Sequence, residues 1–139
     1  MIEIWGRANS VNVQKVLWSC DELCLRYHRI DAGMQYGRTN DRDYLAMNPN
    51  GRIPTLRDGE FVLWESNSIM RYLALESDRG SGIYPAEPRV RAGIDRWLDW
   101  TLSTLGPAER VLDRRYCARS LRAPLVWPSK GSLNRECAT

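Results

Sequence analysis

Hydrophobic residues recur at every second position in some segments of the chain and at every third or fourth position in others. The order of these two spacings predicts the order of strands and helices. Residues 1–6 and 27–31 carry short alternating runs that are typical of strands. Residues 10–24 lie between them and show helical spacing of apolar side chains, with Ser10 as the expected N-cap. A strand, a helix and a strand in succession predict a βαβ unit with parallel strands.

The middle of the chain predicts a loop, a short helix, a hairpin and a longer helix. Residues 33–40 are loop-like, and residues 41–47 favour a short helix. In "PTLRDGEFVLW", Asp58-Gly59 lies between two apolar runs and is a strong signal for a two-residue turn. Helical spacing resumes from Ser66 onward.

A segment rich in Gly, Ser and Pro separates these elements from an amphipathic helix, which we expect to end at Gly106-Pro107. The order βαβαββα predicts an α/β chain, with a thioredoxin-like domain followed by the start of an all-α domain. The predicted divisions are a domain over 1–80, a linker over 81–88, a first helix over 89–114 and an irregular tail over 115–139.

Composition limits the class of protein. The chain has 139 residues, of which 43% are hydrophobic and 27% are charged, as in ordinary soluble proteins. No apolar run approaches the roughly 18 residues of a membrane span, and the first residues do not follow the pattern of a signal peptide. We therefore expect a cytoplasmic protein with no membrane partner.

The four cysteines have no metal-ligand spacing, so no metal is expected, and Cys20 is predicted to be a buried, inert thiol.

Charge is distributed unevenly along the chain. Residues 1–109 hold 13 basic and 15 acidic side chains, a net charge of −2, whereas residues 110–139 hold 7 and 2, a net charge of +5. The basic excess therefore belongs to the tail. This tail lacks the interleaved aromatic residues of a nucleic-acid-binding surface, so no nucleic-acid partner is expected.

The stretch "NPNGRIPTLRDGEFVLWESNSI" combines two features of a peptide-binding site. A cis bond at Ile53-Pro54 would leave the Ile53 backbone free to pair with an extended ligand, although a trans proline opening an edge strand is the alternative. Glu65-Ser66 begins a helix, whose N-terminus can hold a carboxylate while Glu65 accepts an ammonium group. The alternative is that Ser66 only caps that helix.

Ser10 is the candidate for activating a thiol. A thiol near a helix N-terminus and a hydroxyl donor is shifted toward the thiolate, which is the nucleophile. The alternative interpretation makes Ser10 an ordinary N-cap. Cys20 is a poor rival for this role because ten residues of helix place it about 15 Å away.

The segments "GRANSVNVQKVLW", "NPNGRIPTL" and "WESNSIMRYLA" together resemble the N-terminal domain of soluble glutathione transferases of the serine-type bacterial kind. The resemblance covers about residues 1–80 and continues into "VRAGIDRWLDWTLSTLGPAERVL". It implies that glutathione is the co-substrate, that the thiol attacks a small electrophile, and that the protein is a detoxifying transferase, with a homodimer as one option for its assembly. It also implies that Ser10 stabilises the glutathione thiolate, with Asn12 as a weaker candidate to assist or substitute.

The resemblance further implies a set of glutathione contacts. Ile53, before cis-Pro54, pairs with the cysteinyl backbone, and Glu65 and Ser66 hold the γ-glutamyl end. Arg52 lies where related enzymes often place a cation for the glycyl carboxylate. Some relatives use a His in the preceding loop, which "YGRTN" lacks.

The chain departs from the family near residue 114. The tail "RYCARSLRAPLVWPSKGSLNRECAT" has no sustained period, so we expect a truncated or frame-shifted product. Related genes with an intact frame ending at the same place would contradict that expectation. An alternative function remains open at this point, namely a non-catalytic thioredoxin-like module that binds glutathione or a protein. The sequence does not give the electrophile, nor does it distinguish conjugation from peroxide reduction or dehalogenation.

Overall fold

The alternating runs of the sequence form the four strands of one mixed sheet. The computed structural model describes residues 1–108. Its strands are β1 (Ile2–Trp5), β2 (Tyr27–Ile30), β3 (Thr55–Asp58) and β4 (Phe61–Trp64), in the order β2-β1-β3-β4. Strands β1 and β2 are parallel, as the βαβ spacing predicts, whereas β3 is antiparallel to both of its neighbours.

Four α-helices and two short 3-10 turns complete the described chain. The helices are α1 (Val11–Glu22), α2 (Arg42–Met47), α3 (Ser66–Glu76) and α4 (Pro88–Trp100), and the turns are Met34–Tyr36 and Gly80–Gly82. The order βαβαββα followed by α4 confirms the predicted fold class, a thioredoxin-like α/β domain that precedes a helical part.

The chain divides between Pro85 and Ala86 into two compact units. The predicted boundaries at residues 80, 88 and 114 stay predictions. The irregular tail expected over 115–139, and the last residues of the helix expected over 89–114, lie outside the described residues.

The core of the first unit comes from the apolar faces that the periodicity indicates. Helices α1 and α3 pack against each other. Lys15 Nζ also donates a hydrogen bond to Asn67 Oδ1 at 2.9 Å between these two helices. Fully buried apolar side chains are Ile4, Val13, Val16, Cys20, Ala32, Leu56, Ile69 and Leu73.

The hairpin turn lies one residue later than the sequence predicts. Asp58 pairs with Phe61 across the ladder, so the two turn residues are Gly59 and Glu60 rather than Asp58 and Gly59. Gly59 has a φ of +60°, which glycine adopts without steric cost as the first residue of such a turn. The Asp-Gly signal found the hairpin, but pairing of Asp58 extended the strand by one residue.

The second unit begins with α4, whose start follows from its sequence. Glu87 is the N-cap, and its carboxylate accepts hydrogen bonds from the backbone N–H groups of Arg89 and Val90 at 3.1 and 2.6 Å. Pro88 occupies the first helical position, where its missing N–H is not needed.

The predicted helix end at Gly106-Pro107 is wrong. Helical backbone continues from α4 through a π-helical turn, Thr101–Leu105, and through residues 106–108. In a π-helical turn each carbonyl bonds to the N–H five residues later rather than four. The Gly106 N–H accordingly bonds to the Thr101 carbonyl, directly before Pro107.

Two glycines of one 3-10 turn give a matched test of this packing. A Cβ added to Gly80 would lie 1.5 Å from the Ala74 carbonyl oxygen, whereas one added to Gly82 would meet nothing within 4 Å. We expect Gly80→Ala to lower the free energy of unfolding by about 3 kcal/mol or more, because backbone must move. Gly82→Ala should change it by less than about 0.5 kcal/mol. Urea unfolding measures both, and equal effects would contradict the close approach of Gly80 to Ala74.

Candidate functional site

Sheet register brings three chain segments to one end of the sheet. Trp5, the last residue of β1, pairs with Thr55, the first residue of β3. Thr55 in turn pairs with Trp64, the last residue of β4. The loop after β1, the residues before β3 and the residues after β4 therefore emerge together, and the candidate residues predicted from sequence all lie in these segments or at the helix starts that follow them.

Helix α1 begins at this end, with Ser10 as its N-cap as predicted. The Ser10 side chain is buried but makes no capping hydrogen bond, and its hydroxyl has no hydrogen-bond partner among residues 1–108. The first turn of α1 contains no acidic residue. Its free N–H groups and the Ser10 hydroxyl are therefore both available to an anionic group.

Helix α3 begins beside α1. The N-cap is Glu65, and Ser66 is the first helical residue, so the alternative interpretation of Ser66 as the cap is wrong. The buried Ser66 hydroxyl donates to Asn12 Oδ1 at 3.4 Å, which joins the first turns of the two helices. Asn12 is predicted from sequence as an assistant to Ser10, and the structure places it against Ser66.

Glu65 has an unusual backbone conformation. Its φ is +73° and its ψ is 112°, a region that non-glycine residues adopt at a cost of roughly 1–3 kcal/mol. The side chain is exposed and makes no capping hydrogen bond. The conformation directs the chain from β4 straight into α3 and leaves the Glu65 carboxylate open to solvent.

The Ile53-Pro54 peptide bond is cis, as the family resemblance implies, rather than the alternative trans bond. Pro54 is buried, and the half-buried Ile53 lies over two glycines, where an added Cβ on Gly6 or Gly33 would come within 3.4 or 3.1 Å of it. The Ile53 N–H and C=O make no hydrogen bond with any of residues 1–108. They form an unpaired peptide edge just before β3.

Two arginines carry positive charge near the same end. The Arg52 side chain is exposed, as a cation for a ligand carboxylate must be. Arg38, which sequence reasoning missed, belongs to the loop between β2 and α2 and lies over the Trp5 ring at 5.8 Å. The only signal for it in the sequence is the position of this arginine in "YGRTN", the loop in which some relatives carry a His.

Cys20 does not compete for thiol chemistry. It is fully buried, as predicted, and this burial, with a smaller contribution from Asp21, raises the pKa of its thiol to about 12. It therefore stays protonated at neutral pH.

Residues 1–108 contain no cluster of three or more His, Cys, Asp or Glu side chains that could hold a metal ion. None of the helices described is both long and apolar enough to cross a membrane.

Fold and site together define a thioredoxin-like domain in which the Ile53 backbone, unpaired among residues 1–108, lies at the same end of the sheet as two helix starts. Residues 2–75 match the family model for the glutathione S-transferase N-terminal domain. The chain is 48% identical over 112 residues to glutathione S-transferase GstB of Escherichia coli, a match that covers 79% of this chain and 53% of that protein. The chain belongs to the glutathione S-transferase family.

Solved structures agree with this assignment. The theta class glutathione S-transferase of Xanthomonas axonopodis pv. citri, with glutathione bound, superposes with a TM-score of 0.75 at 49% identity, covering 78% of this chain and 52% of that one. Glutathione transferase F2 of Populus trichocarpa gives 0.70 at 31% identity, covering 77% and 51%. The chain thus spans about half the length of these relatives.

The strained position of Glu65 yields a testable prediction. Glu65→Gly should raise the free energy of unfolding by about 1 kcal/mol, because glycine adopts this φ without steric cost and loses only part of the gain to chain entropy. Glu76→Gly, at the exposed last turn of α3, should lower it by about 1 kcal/mol. Urea denaturation compares them, and destabilisation by both changes would show that Glu65 is not strained.

Proposed function

We propose that this chain binds glutathione at this end of the sheet and promotes the ionisation of its thiol for attack on an electrophilic small molecule. The observation that carries the proposal is the meeting of two helix N-termini, joined by the Ser66–Asn12 hydrogen bond of 3.4 Å, beside the unpaired peptide edge of Ile53. One helix start receives a carboxylate and the other a thiolate, which are the two anionic groups near the γ-glutamyl-cysteinyl part of the tripeptide.

The γ-glutamyl end fits the start of α3. The Ser66 backbone N–H and hydroxyl can bind its α-carboxylate, because a helix N-terminus favours negative charge. Within the described chain the Ser66 hydroxyl is held by a long hydrogen bond to Asn12, so it can turn toward a ligand. The exposed Glu65 carboxylate is placed to accept the α-ammonium group.

The cysteinyl backbone fits the peptide edge of Ile53. Both polar groups of that residue lack partners in residues 1–108, and an extended peptide can pair with them as an added strand does. Arg52 supplies a cation for the glycyl carboxylate, and Arg38 adds a second positive charge at the same end of the sheet.

Ser10 makes the proposed enzyme serine-type. Its hydroxyl has no partner in the part of the chain that the structure describes, so it can donate a hydrogen bond to the thiolate without breaking another. The thiol proton is lost to water, and the N–H groups of the first turn of α1, near Asn12, favour the resulting negative charge. The thiolate then forms a sulfur–carbon bond with the electrophile, whose leaving group departs with its bonding electrons.

The experiment is a calorimetric and ultraviolet titration of the purified chain with glutathione. Ser10→Ala should bind glutathione with similar affinity, but the pKa of the bound thiol should rise toward the free value of about 8.5, because the donor to the thiolate is lost. Thiolate absorbance as a function of pH measures this pKa. Turnover at neutral pH should fall by roughly 10-fold for each unit by which this pKa rises, because a smaller fraction of the bound thiol is ionised.

Ser81→Ala, in the exposed 3-10 turn, is the matched control and should leave both quantities unchanged. S-methylglutathione should bind without any absorbance change, since its sulfur cannot ionise. A bound thiol that titrates at about 8.5 in the unaltered chain would mean that the site holds glutathione without activating it.

A homodimer belongs to the same proposal and is supported by the edge of the sheet. Strand β4 is an edge strand in which Phe61 and Trp64 are 47% and 37% exposed. If this edge forms the contact, Phe61→Arg should shift the molar mass measured by light scattering from dimer to monomer. Trp18→Arg, which alters a side chain that is 62% exposed on α1, should leave the mass unchanged. A monomeric unaltered chain would contradict the dimer.

A further inference from the structure

Three buried polar side chains surround one backbone carbonyl next to the proposed peptide edge. The Tyr44 hydroxyl and the Asn48 amide donate to the Arg52 carbonyl oxygen at 2.7 and 2.8 Å. The Thr55 hydroxyl contacts Tyr44 Oη at 2.8 Å and accepts from the Asn48 amide at 3.0 Å. Tyr44, Asn48 and Thr55 are only 2%, 2% and 0% exposed. We call these three side chains the carbonyl clamp.

The direction of every hydrogen bond in the clamp is fixed. Asn48 Oδ1 accepts from the Asn50 backbone N–H at 3.1 Å, so the NH₂ group of Asn48 must face Arg52 and Thr55. Tyr44 has one hydroxyl hydrogen, and the Arg52 carbonyl can only accept, so that hydrogen points to Arg52. The Thr55 hydroxyl must then donate to Tyr44. The four groups form a closed ring in which each donor is used.

Protonation of the clamp is stable. Burial raises the pKa of the Tyr44 phenol, and the hydrogen bond from Thr55 only partly opposes this shift. Tyr44 therefore remains a donor throughout the neutral range. Loss of the clamp through titration is not expected in the range where glutathione ionises.

The clamp controls the orientation of the Ile53 N–H through peptide geometry. The Arg52 carbonyl and the Ile53 N–H belong to the same planar, trans peptide unit, so they point in opposite directions. The Arg52 carbonyl oxygen accepts two hydrogen bonds from the clamp, and these engage both of its lone pairs. The carbonyl is therefore held toward the buried side. The N–H of Ile53 is thereby directed away from the clamp, where it has no partner among residues 1–108.

We infer that Tyr44, Asn48 and Thr55 are positioning residues for glutathione binding, which act by fixing the Arg52–Ile53 peptide plane so that the Ile53 N–H meets the cysteinyl backbone. The inference rests on the proposed function. It also links α2, which carries Tyr44 and ends at Asn48, to the peptide edge before β3. A preorganised edge binds more tightly because its ordering is complete before the ligand arrives.

If the clamp residues only stabilised the fold, their variants would behave differently. The same hydrogen bonds stabilise the junction of α2 and β3, so any clamp variant will lower the free energy of unfolding. Only a positioning role also changes glutathione affinity in protein that is fully folded. It should change affinity without changing the pKa of the bound thiol, because the clamp does not touch the sulfur.

The test compares Thr55→Val with Thr55→Ser in the full chain. Valine has nearly the same shape as threonine but removes the hydroxyl, whereas serine keeps it. We expect Thr55→Val and Tyr44→Phe to raise the Kd for glutathione roughly 3- to 30-fold, as expected for one or two lost hydrogen bonds. Thr55→Ser should remain within about twofold of the unaltered chain. Calorimetry gives Kd, and thiolate absorbance should give an unchanged thiol pKa in every variant.

Urea unfolding on the same samples establishes that each variant is folded during the titration. Unaltered affinity in folded Thr55→Val and Tyr44→Phe would overturn the inference while leaving the proposed function intact. Equal weakening by Thr55→Ser and Thr55→Val would also overturn it, since the hydroxyl would then be irrelevant. Failure of the unaltered, folded chain to bind glutathione would overturn the proposed function, and the inference with it.

Discussion

Pairing of Trp5 with Thr55, and of Thr55 with Trp64, holds three strand ends side by side, and the candidate site depends on this register. A shift by one residue would exchange the two faces of a strand, moving Leu56 out of the core. It would also separate the residues before β3 from the helix start that follows β4. The same apolar burial that stabilises the sheet therefore aligns the polar groups beyond its end.

Several local interactions that would favour stability are missing at this end of the sheet. The Ser10 hydroxyl does not cap its helix, Glu65 adopts an unfavourable φ, and the Ile53 peptide is unpaired within the described chain. Each feature costs roughly 1–3 kcal/mol relative to an ideal arrangement. Such compromises gathered in one place are typical of binding sites, where groups are held ready for a ligand.

Periodicity was sufficient to predict the element order, most clearly for α1 and α3, because each of these helices buries one apolar face. It could not set boundaries that depend on competing backbone interactions. Asp58 joined β3 because a ladder partner, Phe61, was available, and helical backbone continues past Pro107 after the π-helical turn. Residue preference alone does not decide between these competing backbone hydrogen bonds.

The main residues of the candidate site could also be predicted from the sequence, but the contacts between them could not. Ser10, the cis bond before Pro54 and the helix start after Glu65 follow from residue preference and from the family resemblance. The contact of Asn12 with Ser66 was not predictable, because it joins residues 54 positions apart. The clamp was missed for another reason. Tyr44 and Thr55 resemble ordinary apolar positions until their hydroxyl groups are seen to meet.

Affinity and reactivity are assigned to different elements in this arrangement. In the proposed function, the start of β3 and its clamp align the backbone of the ligand, whereas Ser10 places the sulfur at the start of α1. Alignment of the ligand backbone depends on neutral hydrogen bonds in the buried ring of the clamp. Ionisation of the thiol depends on a helix N-terminus, which favours negative charge. Because neutral hydrogen bonds are screened little by salt and charge interactions more, the contribution of the clamp to binding and the ionisation of the thiol should respond differently to ionic strength. Under the proposed function, one end of a small sheet would thus control both where glutathione binds and how acidic its thiol becomes.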